Sequence, residues 1–442
     1  MSEELLLDPT RAPFEVVDLD LPGDGSPPVL RRIGGNGPLR SGPVLALVRS
    51  GGRPAGLVQA VHGDVGDASD ASDSGDDPHP SSAGRLTALL AAAAHRELDL
   101  GLPGPRATSA LPGTFPLVTV VVATRERPQL LARCLESLEG LRYPRFDVVV
   151  VDNAPVTEAT RDLVRECFGD RVRYIREPLR GLAAAHNRGL AETLGEIVAF
   201  TDDDVVVDPG WLDALVSGFV DARVGCVTGL ILPARLHTRT QVLLETHGGF
   251  SKGFHGRRYR LDRPPADQPL FPFTAGRLGS GANMAFRTDV LRGLGGFDPA
   301  IGTGTPARGG DDLLSFFRVV VHGHDLVYQP EALVWHHHRD RPEDLDGQAF
   351  GYGAGLGAYL AAALLHEPRM LPALLRRLPR GVRHALASTG AETRPSWSAR
   401  LSRLQRRGLL YGPYGYLRSR RLVRAEARIN GPTPTREVRS HA

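Results

Sequence analysis

Residues 118–204 alternate short apolar runs with amphipathic stretches, and this alternation restricts the fold more than any other feature of the chain. VTVVVAT (118–124) and FDVVVVDNA (146–154) are rich in β-branched residues, as is typical of strands buried on both faces. The predicted strands are 118–124, 146–154, 172–177 and 196–204, and the predicted helices are 129–141, 160–168 and 182–194. Such closely alternating strands and helices indicate an α/β fold with a mostly parallel sheet and flanking helices.

Polar residues follow these predicted strands at the points where the strands end. They are Thr124, Arg125, Asp152, Asp202, Asp203 and Asp204. Ligands of open α/β sheets bind beyond the carboxyl ends of the strands. The sequence therefore predicts that these side chains share one ligand-binding edge.

The segment FTDDDVVVDPGWL (200–212) places three aspartates directly after a buried strand. Carboxylate oxygens hold Mg²⁺ or Mn²⁺ and leave coordination positions open for phosphate oxygens. A cation there would neutralise the charge that develops on a departing diphosphate. A solvated turn or a helix cap is the alternative interpretation, because a DxD pattern by itself is short and common.

Two further groups of ionisable residues follow in the chain. Asp311 and Asp312 come after the Gly-rich stretch IGTGTPARGG (301–310) and open an amphipathic helix. A carboxylate at a helix start either caps the helix or acts as a general base toward an acceptor hydroxyl. Another predicted strand ends at Trp335 and is followed by three histidines, 336–338, which are either a source of metal ligands or surface residues.

The chain divides into three predicted regions. Residues 1–112 form a small α+β region, 113–340 carry the chemistry, and 341–442 are helical and rich in arginine. Within the first region, apolar runs at 14–21 and 43–63 predict strands, and Gly51 and Gly52 predict a hairpin turn between two of them. The acidic insert 64–84 is predicted to be disordered, 85–98 to be helical, and 101–113 to be a linker.

Composition excludes some classes of protein and favours others. A formal net charge of +3 gives no indication of a nucleic-acid partner. No run reaches the roughly 18 apolar residues of a membrane-spanning helix. The acidic start MSEELLLDPT does not resemble a secretory signal, and three isolated cysteines predict reduced, buried thiols. These features predict a cytoplasmic protein.

The basic stretch RMLPALLRRLPRGVRHAL (369–386) and the arginines after it have two interpretations. Either they contact the anionic inner face of the cell membrane peripherally, or they form helices that pack on the core.

The order of six motifs resembles bacterial family 2 glycosyltransferases of the Rossmann-like GT-A fold. These motifs are VTVVVATRERP, VVVVDNA, GLAAAHNRGL, FTDDD, GSGANMAFRTDVLRGLGGFD and GGDDLLSFFR. The resemblance covers about half the chain, residues 115 to 340. It implies inverting transfer of a sugar from a nucleoside-diphosphate sugar to a glycan, lipid-linked or small-molecule acceptor, with Mg²⁺ or Mn²⁺ as cofactor. Synthesis of a cell-envelope or secreted glycan is the context that it favours.

The resemblance also implies roles for individual residues. Asp312 would be the catalytic base and Asp311 would orient the acceptor. Asp204, Asp202 and His336 would hold the metal, with His338 as second choice. The donor site would comprise Thr124, Arg125, Asp152, Asn187, Asp202, Asp203 and Gly281. Two departures from the family pattern, His186 before Asn187 and Leu314 after the base, make the donor and acceptor assignments less specific.

Two other classes of protein fit parts of the pattern. Sugar-phosphate nucleotidylyltransferases have a related sheet, but VATRERP lacks the glycines that usually follow their first strand. An inactive homologue that acts as a scaffold is the non-enzyme alternative. Retention of Asp202, Asp204 and Asp312 together argues against it.

Overall fold

The computed structural model describes residues 7–33, 37–63, 82–98, 100, 115–377, 379 and 398–430. Residues 64–81 of the predicted acidic insert and the linker 101–113 lie outside this range, as do residues 378 and 380–386 of the basic stretch. Residues 82–84, which the sequence assigned to the insert, belong to the first helix.

The N-terminal region is a four-stranded sheet in the order β2-β1-β3-β4, covered on one face by a helix. Its elements are β1 (Glu15–Leu21), β2 (Val29–Arg32), β3 (Gly42–Ser50), β4 (Arg53–His62) and α1 (Ser82–Glu97). The predicted hairpin is confirmed, since β3 and β4 pair antiparallel around Gly51 and Gly52. Their φ angles of 57° and 81° lie in the left-handed region that glycine adopts without steric cost.

The other face of this small sheet packs on the large one. Phe14, Leu45 and Leu47 share an apolar cluster with Leu333 and Trp335 of the large sheet. The buried guanidinium of Arg49 donates to Asp18 (2.8 Å) and to Asp208 (2.7 Å), so an ion-pair network also crosses the contact. The N-terminal region therefore stabilises the large sheet from one side.

The large sheet has nine strands, and their order is β11-β13-β10-β12-β8-β5-β6-β7, with β9 paired to β13. The strands are β5 (Val118–Thr124), β6 (Phe146–Asn153), β7 (Val172–Glu177), β8 (Ile197–Asp202), β9 (Val205–Val207), β10 (Val224–Pro233), β11 (Arg257–Tyr259), β12 (Asn283–Arg287) and β13 (Asp325–His336). β8, β5, β6 and β7 are parallel, as predicted. β12 runs antiparallel between β8 and β10, so the complete sheet is mixed.

Helices cover both faces of this sheet. They are α2 (Pro128–Glu139), α3 (Ala159–Leu163), α4 (Leu182–Ala191), α5 (Trp211–Ser217), α6 (Arg239–Gly248), α7 (Thr288–Gly293), α8 (Asp311–Val321), α9 (Asp344–His366) and α10 (Ala399–Asn430). Val121 and Phe200 point into the core on one face, whereas Val120 and Val122 point into the core on the other. Burial on both faces explains why these strands are continuous runs of β-branched residues.

The C-terminal helices α9 and α10 belong to the core rather than to a separate tail. Tyr359 of α9 and Tyr416 of α10 are fully buried in the same apolar cluster as the large sheet. No helix in the described part of the chain is both long and apolar enough to cross a membrane. Cys134 and Cys226 are buried, whereas Cys167 is exposed, so the expectation of three buried thiols is wrong for Cys167.

Candidate active site

The carboxyl ends of three adjacent strands bring the predicted polar residues together. β5 lies between β6 and β8, with Thr124 beside Asp152 and Ala123 beside Asp202 in the strand registers. Parallel strands place their carboxyl ends at one edge of the sheet, and there the chain leaves each strand for a loop. The separate motifs of the sequence therefore form one site.

Asp203 and Asp204 are held by Arg127, the residue before α2. Arg127 Nη1 lies 3.2 Å from Asp203 Oδ1 and 3.3 Å from Asp204 Oδ2. The hydroxyl of Thr124 donates to the other oxygen of Asp203 (2.8 Å). Both carboxylate oxygens of Asp203 are thus engaged by protein groups, and its contact with the donor stays a prediction.

Asp202, Asp204 and His336 form a group whose ligand atoms all lie within 4.8 Å of one another. β9 pairs antiparallel with the end of β13 and sets His336 beside Val205, just after the acidic motif. Asp204 Oδ1 lies 3.3 Å from His336 Nε2, and it is buried without a hydrogen-bond partner among the described residues. Two carboxylates and an imidazole are a suitable donor set for a divalent transition-metal cation, and Asp204 Oδ1 is available to it.

The charges in this group shift the pKa values of its two aspartates in opposite directions. Burial, together with the neighbouring Asp204 carboxylate, raises the pKa of Asp202 to about 7. Burial also disfavours ionisation of Asp204, but His336 and Arg127 outweigh it and lower the pKa of Asp204 to about 2. The structure therefore concentrates negative charge on Asp204.

A second layer orients His336. Its Nδ1 atom lies 3.2 Å from Nδ1 of His338, and Nε2 of His338 lies 2.7 Å from the Glu245 carboxylate on α6. His338 is buried and engaged by Glu245, so the structure places it behind His336 rather than in the group itself. A partner that fixes the ring of a ligating histidine is a common feature of metal sites.

Asp152 lies at the other end of the site, on β6. The Tyr174 hydroxyl donates to Asp152 Oδ2 (2.9 Å), whereas the buried Oδ1 has no partner among the described residues. Burial raises the pKa of Asp152. Arg125 is exposed nearby, and its Nε donates to the Ala154 carbonyl (3.3 Å). Asp152 Oδ1 is therefore available at this edge of the sheet to accept a hydrogen bond from a ligand.

Asp311 and Asp312 start α8, directly after Gly310, whose φ of 95° requires glycine. Asp312 Oδ2 accepts from the backbone N–H of Gly281 (2.9 Å), and its Oδ1 accepts from the N–H of Leu313 (2.8 Å). Burial, with the adjacent Asp311 charge, raises the pKa of Asp312 to about 6. A fixed carboxylate with such a pKa suits a general base near neutral pH.

His186 and Asn187 of α4 have positions that the sequence did not predict. The Asn187 amide donates to the Phe297 carbonyl (2.7 Å) and accepts from the Phe297 N–H (2.8 Å). Asn187 thus holds a loop and does not line the cleft described below, and its place in the donor site stays a prediction. His186 is buried, with Nδ1 3.4 Å from Asp311 Oδ2.

A cleft of about 980 Å³ begins at this site and extends to the C-terminal helices. Asp202, Gly281, Asp311 and Asp312 line its inner end. Its outer walls include Arg180, Arg308, Tyr352 of α9, and Tyr411 and Arg418 of α10. Neither Thr124 nor Asp152 lines this cleft, so it extends away from them and forms a separate part of the site.

Two residues of the site were missed by sequence reasoning. Arg127 had a detectable signal, since it lies three residues beyond a strand end, like the polar residues that were chosen. Lys252 is the only lysine among 53 lysines and arginines, and it lines the cleft. Burial lowers the pKa of Lys252, while the nearby Asp312 and Glu245 charges oppose this effect. The rarity of lysine in this chain was the available signal.

Comparison with known proteins agrees with this architecture. Residues 119–294 match the family described as Glycosyl transferase family 2. A pre-mycofactocin glycosyltransferase from Mycobacterium tuberculosis (strain ATCC 25618 / H37Rv) is 29% identical over 259 residues, which are 58% of this chain and 50% of that protein. The O-antigen biosynthesis protein RfbC of Myxococcus xanthus is 30% identical over 190 residues, 41% of this chain and 15% of that protein. This chain thus spans about half the length of the M. tuberculosis relative.

Among solved structures, the mannosyltransferase PcManGT from Pyrobaculum calidifontis, in complex with GDP-Man and Mn²⁺, has a TM-score of 0.44 and 22% identity. The similarity covers 76% of this chain and 86% of that one.

The mixed sheet with helices on both faces defines the class of protein as an α/β protein, and its residues 119–294 match the glycosyltransferase family. The chain carries a family 2 glycosyltransferase domain, as the resemblance in its motifs predicted.

Proposed function

We propose that the protein is a metal-dependent, inverting glycosyltransferase that moves a sugar from a nucleoside-diphosphate sugar to an acceptor hydroxyl. The observation that carries the proposal is one shared cleft. Asp202, a member of the metal-ligand group, and Asp312, a half-buried carboxylate fixed by two backbone N–H groups, both line it. Leaving-group stabilisation and proton removal can therefore act on the same bound substrates.

Donor binding would use the edge formed by the ends of β5 and β6. The free Oδ1 of Asp152 would accept a hydrogen bond from the base of the nucleotide. Asp202, Asp204 and His336 would hold a divalent cation, which would neutralise the charge that develops on the leaving diphosphate. Arg127 would keep Asp204 in place through its other carboxylate oxygen.

Acceptor activation would fall to Asp312. Its carboxylate would remove the proton of the acceptor hydroxyl, which then attacks the anomeric carbon from the face opposite the diphosphate. The N–H of Gly281 fixes the direction of this carboxylate. Asp311 would orient the acceptor, with His186 behind it. Inversion needs a single displacement, so no residue has to form a covalent glycosyl intermediate.

The acceptor would occupy the outer cleft, between the 303–310 loop and helices α9 and α10. Relatives differ in what they act on, since one is named for pre-mycofactocin and another for O-antigen biosynthesis. A cell-envelope or secreted glycan is the acceptor class that we favour, with a small metabolite as the second candidate.

A donor screen tests the proposal. The purified protein is mixed with Mn²⁺ or Mg²⁺ and a panel of nucleoside-diphosphate sugars, and nucleoside diphosphate release is measured with and without EDTA. We expect release from one donor, abolished by EDTA and by Asp204→Ala. Asp170→Ala, an exposed aspartate on a short helical turn, is the matched control and should retain full release.

Calorimetry with nucleoside diphosphates covers the case in which transfer requires an acceptor absent from the screen. Metal-dependent binding that Asp204→Ala removes would support the proposed donor site. Absence of any binding in the presence of metal would favour the inactive scaffold instead.

The rate of transfer is expected to fall as the pH decreases through about 6. Asp312 must be ionised to act as a base, and its raised pKa means that protonation removes the active form below that value. The ionisable groups near it are Asp311, His186 and Lys252. A profile of kcat/KM against pH measures this; a profile that stays flat down to pH values well below 6 would contradict the assignment of the base.

A further inference from the structure

Helix α10 carries a stripe of exposed residues on the side that faces away from the protein. Successive residues of an α-helix are rotated by about 100°, so positions three, four and seven apart share a face. The residues of this stripe are Arg403, Arg406, Arg407, Leu410, Tyr414, Leu417, Arg421 and Arg424, and all eight are exposed. We call this surface the outer stripe.

The opposite side of α10 is the one that contacts the protein. Gly408, Gly412, Tyr416 and Ser419 are buried there, and the two glycines approach the backbone of α9. The outer stripe therefore points outward because packing of the other side against α9 fixes the rotation of the helix.

Apolar side chains occupy the middle of the outer stripe. Leu410 is 83% exposed, Tyr414 60% and Leu417 48%. Large apolar residues normally lose water contact on folding, so three exposed on successive turns of one helix indicate a binding surface. Nothing in the described part of the chain covers them.

Positive charge surrounds this apolar centre at both ends. Three arginines of the outer stripe precede it and two follow it, and none of the five has an ion pair with the described residues. The only acidic residue of α10, Glu426, lies roughly 160° around the helix from Leu410. The outer stripe is therefore uniformly cationic.

We propose that the outer stripe docks on an anionic lipid bilayer, with α10 lying along the surface and Leu410, Tyr414 and Leu417 inserted at the headgroup boundary. Arginines beside exposed Leu and Tyr are the composition of interfacial helices. Anionic headgroups attract each nearby arginine.

A second copy of the chain fits this surface less well. Two identical outer stripes would bring ten arginines face to face, and like charges repel. Stable protein interfaces bury roughly 1,200–2,000 Å² in total. The area of three apolar side chains is too small to supply this. A bilayer supplies an extended negative surface and needs no such area.

Docking would also orient the cleft. Tyr411 and Arg418 line the cleft, and each follows directly after a residue of the outer stripe. The mouth of the cleft would then lie close to the bilayer, which suits a lipid-linked acceptor. This last point rests on the proposed function, whereas docking itself does not.

Vesicle co-sedimentation of the full chain tests the proposal, without any donor or acceptor present. The vesicles are phosphatidylcholine alone, and an equimolar mixture of phosphatidylcholine and phosphatidylglycerol. We expect binding only to the mixture, weakened by salt. Each arginine adds about fivefold to binding, so Arg406→Glu with Arg407→Glu should weaken it more than about tenfold. Leu410→Glu with Leu417→Glu should do the same.

Arg85→Glu with Leu89→Glu is the matched control, because α1 exposes this pair elsewhere on the protein. It should bind like the wild type, and circular dichroism checks that every variant is folded. Equal binding by the α10 variants, or no binding to anionic vesicles at low salt, would overturn the proposal. So would loss of self-association in these variants without any vesicle binding, which would identify a second copy as the partner. Donor-driven nucleotide release, measured separately, tests the proposed function.

Discussion

Asp312→Asn is expected to reduce kcat by about 10²–10⁴-fold while the protein stays folded. The amide has nearly the shape of the carboxylate, and its oxygen still accepts from the N–H of Gly281. It has no basic oxygen, however, so the acceptor hydroxyl keeps its proton and attacks slowly. The substitution removes a like-charge repulsion with Asp311, but the amide NH2 group cannot accept from the N–H of Leu313 as Asp312 Oδ1 does, so these two effects on stability oppose each other.

Steady-state kinetics with the donor and acceptor found by screening measure this effect. Asp289→Asn is the matched control, since Asp289 also lies in the first turn of a helix but is exposed and outside the cleft. Its kcat should equal that of the wild type within experimental error. If Asp312→Asn retained more than about a tenth of the wild-type kcat, another group would have to be the base.

Gly408→Ala is expected to destabilise the protein by about 1–3 kcal/mol or more and to lower its melting temperature. A Cβ at position 408 would lie 2.1 Å from the Phe350 carbonyl oxygen and 2.8 Å from the Ala354 nitrogen of α9. Both neighbours are backbone atoms, so the two helices must separate to admit it. Because α9 and α10 also form the outer wall of the cleft, we expect acceptor binding to weaken as well.

Gly351→Ala in α9 is the matched control and should have the opposite sign. A Cβ there meets no atom within 4 Å, so only the intrinsic preference of helices for alanine remains. That preference stabilises by about 0.8–1.0 kcal/mol. Thermal or denaturant unfolding of both variants distinguishes close packing from helix propensity. A stabilised Gly408→Ala variant would show that the helices do not pack at this distance in solution.

Sequence patterns predicted the first half of the large sheet well, for a physical reason. β5 and β6 occupy the predicted runs because their valines are buried on both faces of the sheet. β7 also lies where it was predicted, although it is the edge strand and mostly half-buried. β12, whose antiparallel pairing makes the sheet mixed, has no comparable run of β-branched residues in the sequence. Its residues NMAFR pair antiparallel between β8 and β10, and this pairing depends on partners far away in the chain.

Site residues could be predicted where an aspartate or a histidine lies at or just after the end of a strand, because the strand end fixes where such a residue lies in the fold. Asp202, Asp204 and His336 were chosen from separate motifs, and the structure places their ligand atoms within 4.8 Å. Asp203 and Asn187 looked equivalent to their neighbours in the sequence. Only the fold showed that their polar atoms are engaged by Arg127, Thr124 and Phe297. Their roles, and the three-region division of the chain, stay predictions.

The sequence by itself determined the α/β class, the acidic edge of the sheet and the family, because periodicity and short motifs are local properties. Tertiary structure alone decided which carboxylates face the cleft, that Lys252 lies beside Asp312, and that α9 and α10 form a wall of the site. It also decided which side of α10 is exposed. These properties depend on contacts between residues distant in sequence, and glycines such as Gly408 acquire their meaning only from the helix packed against them.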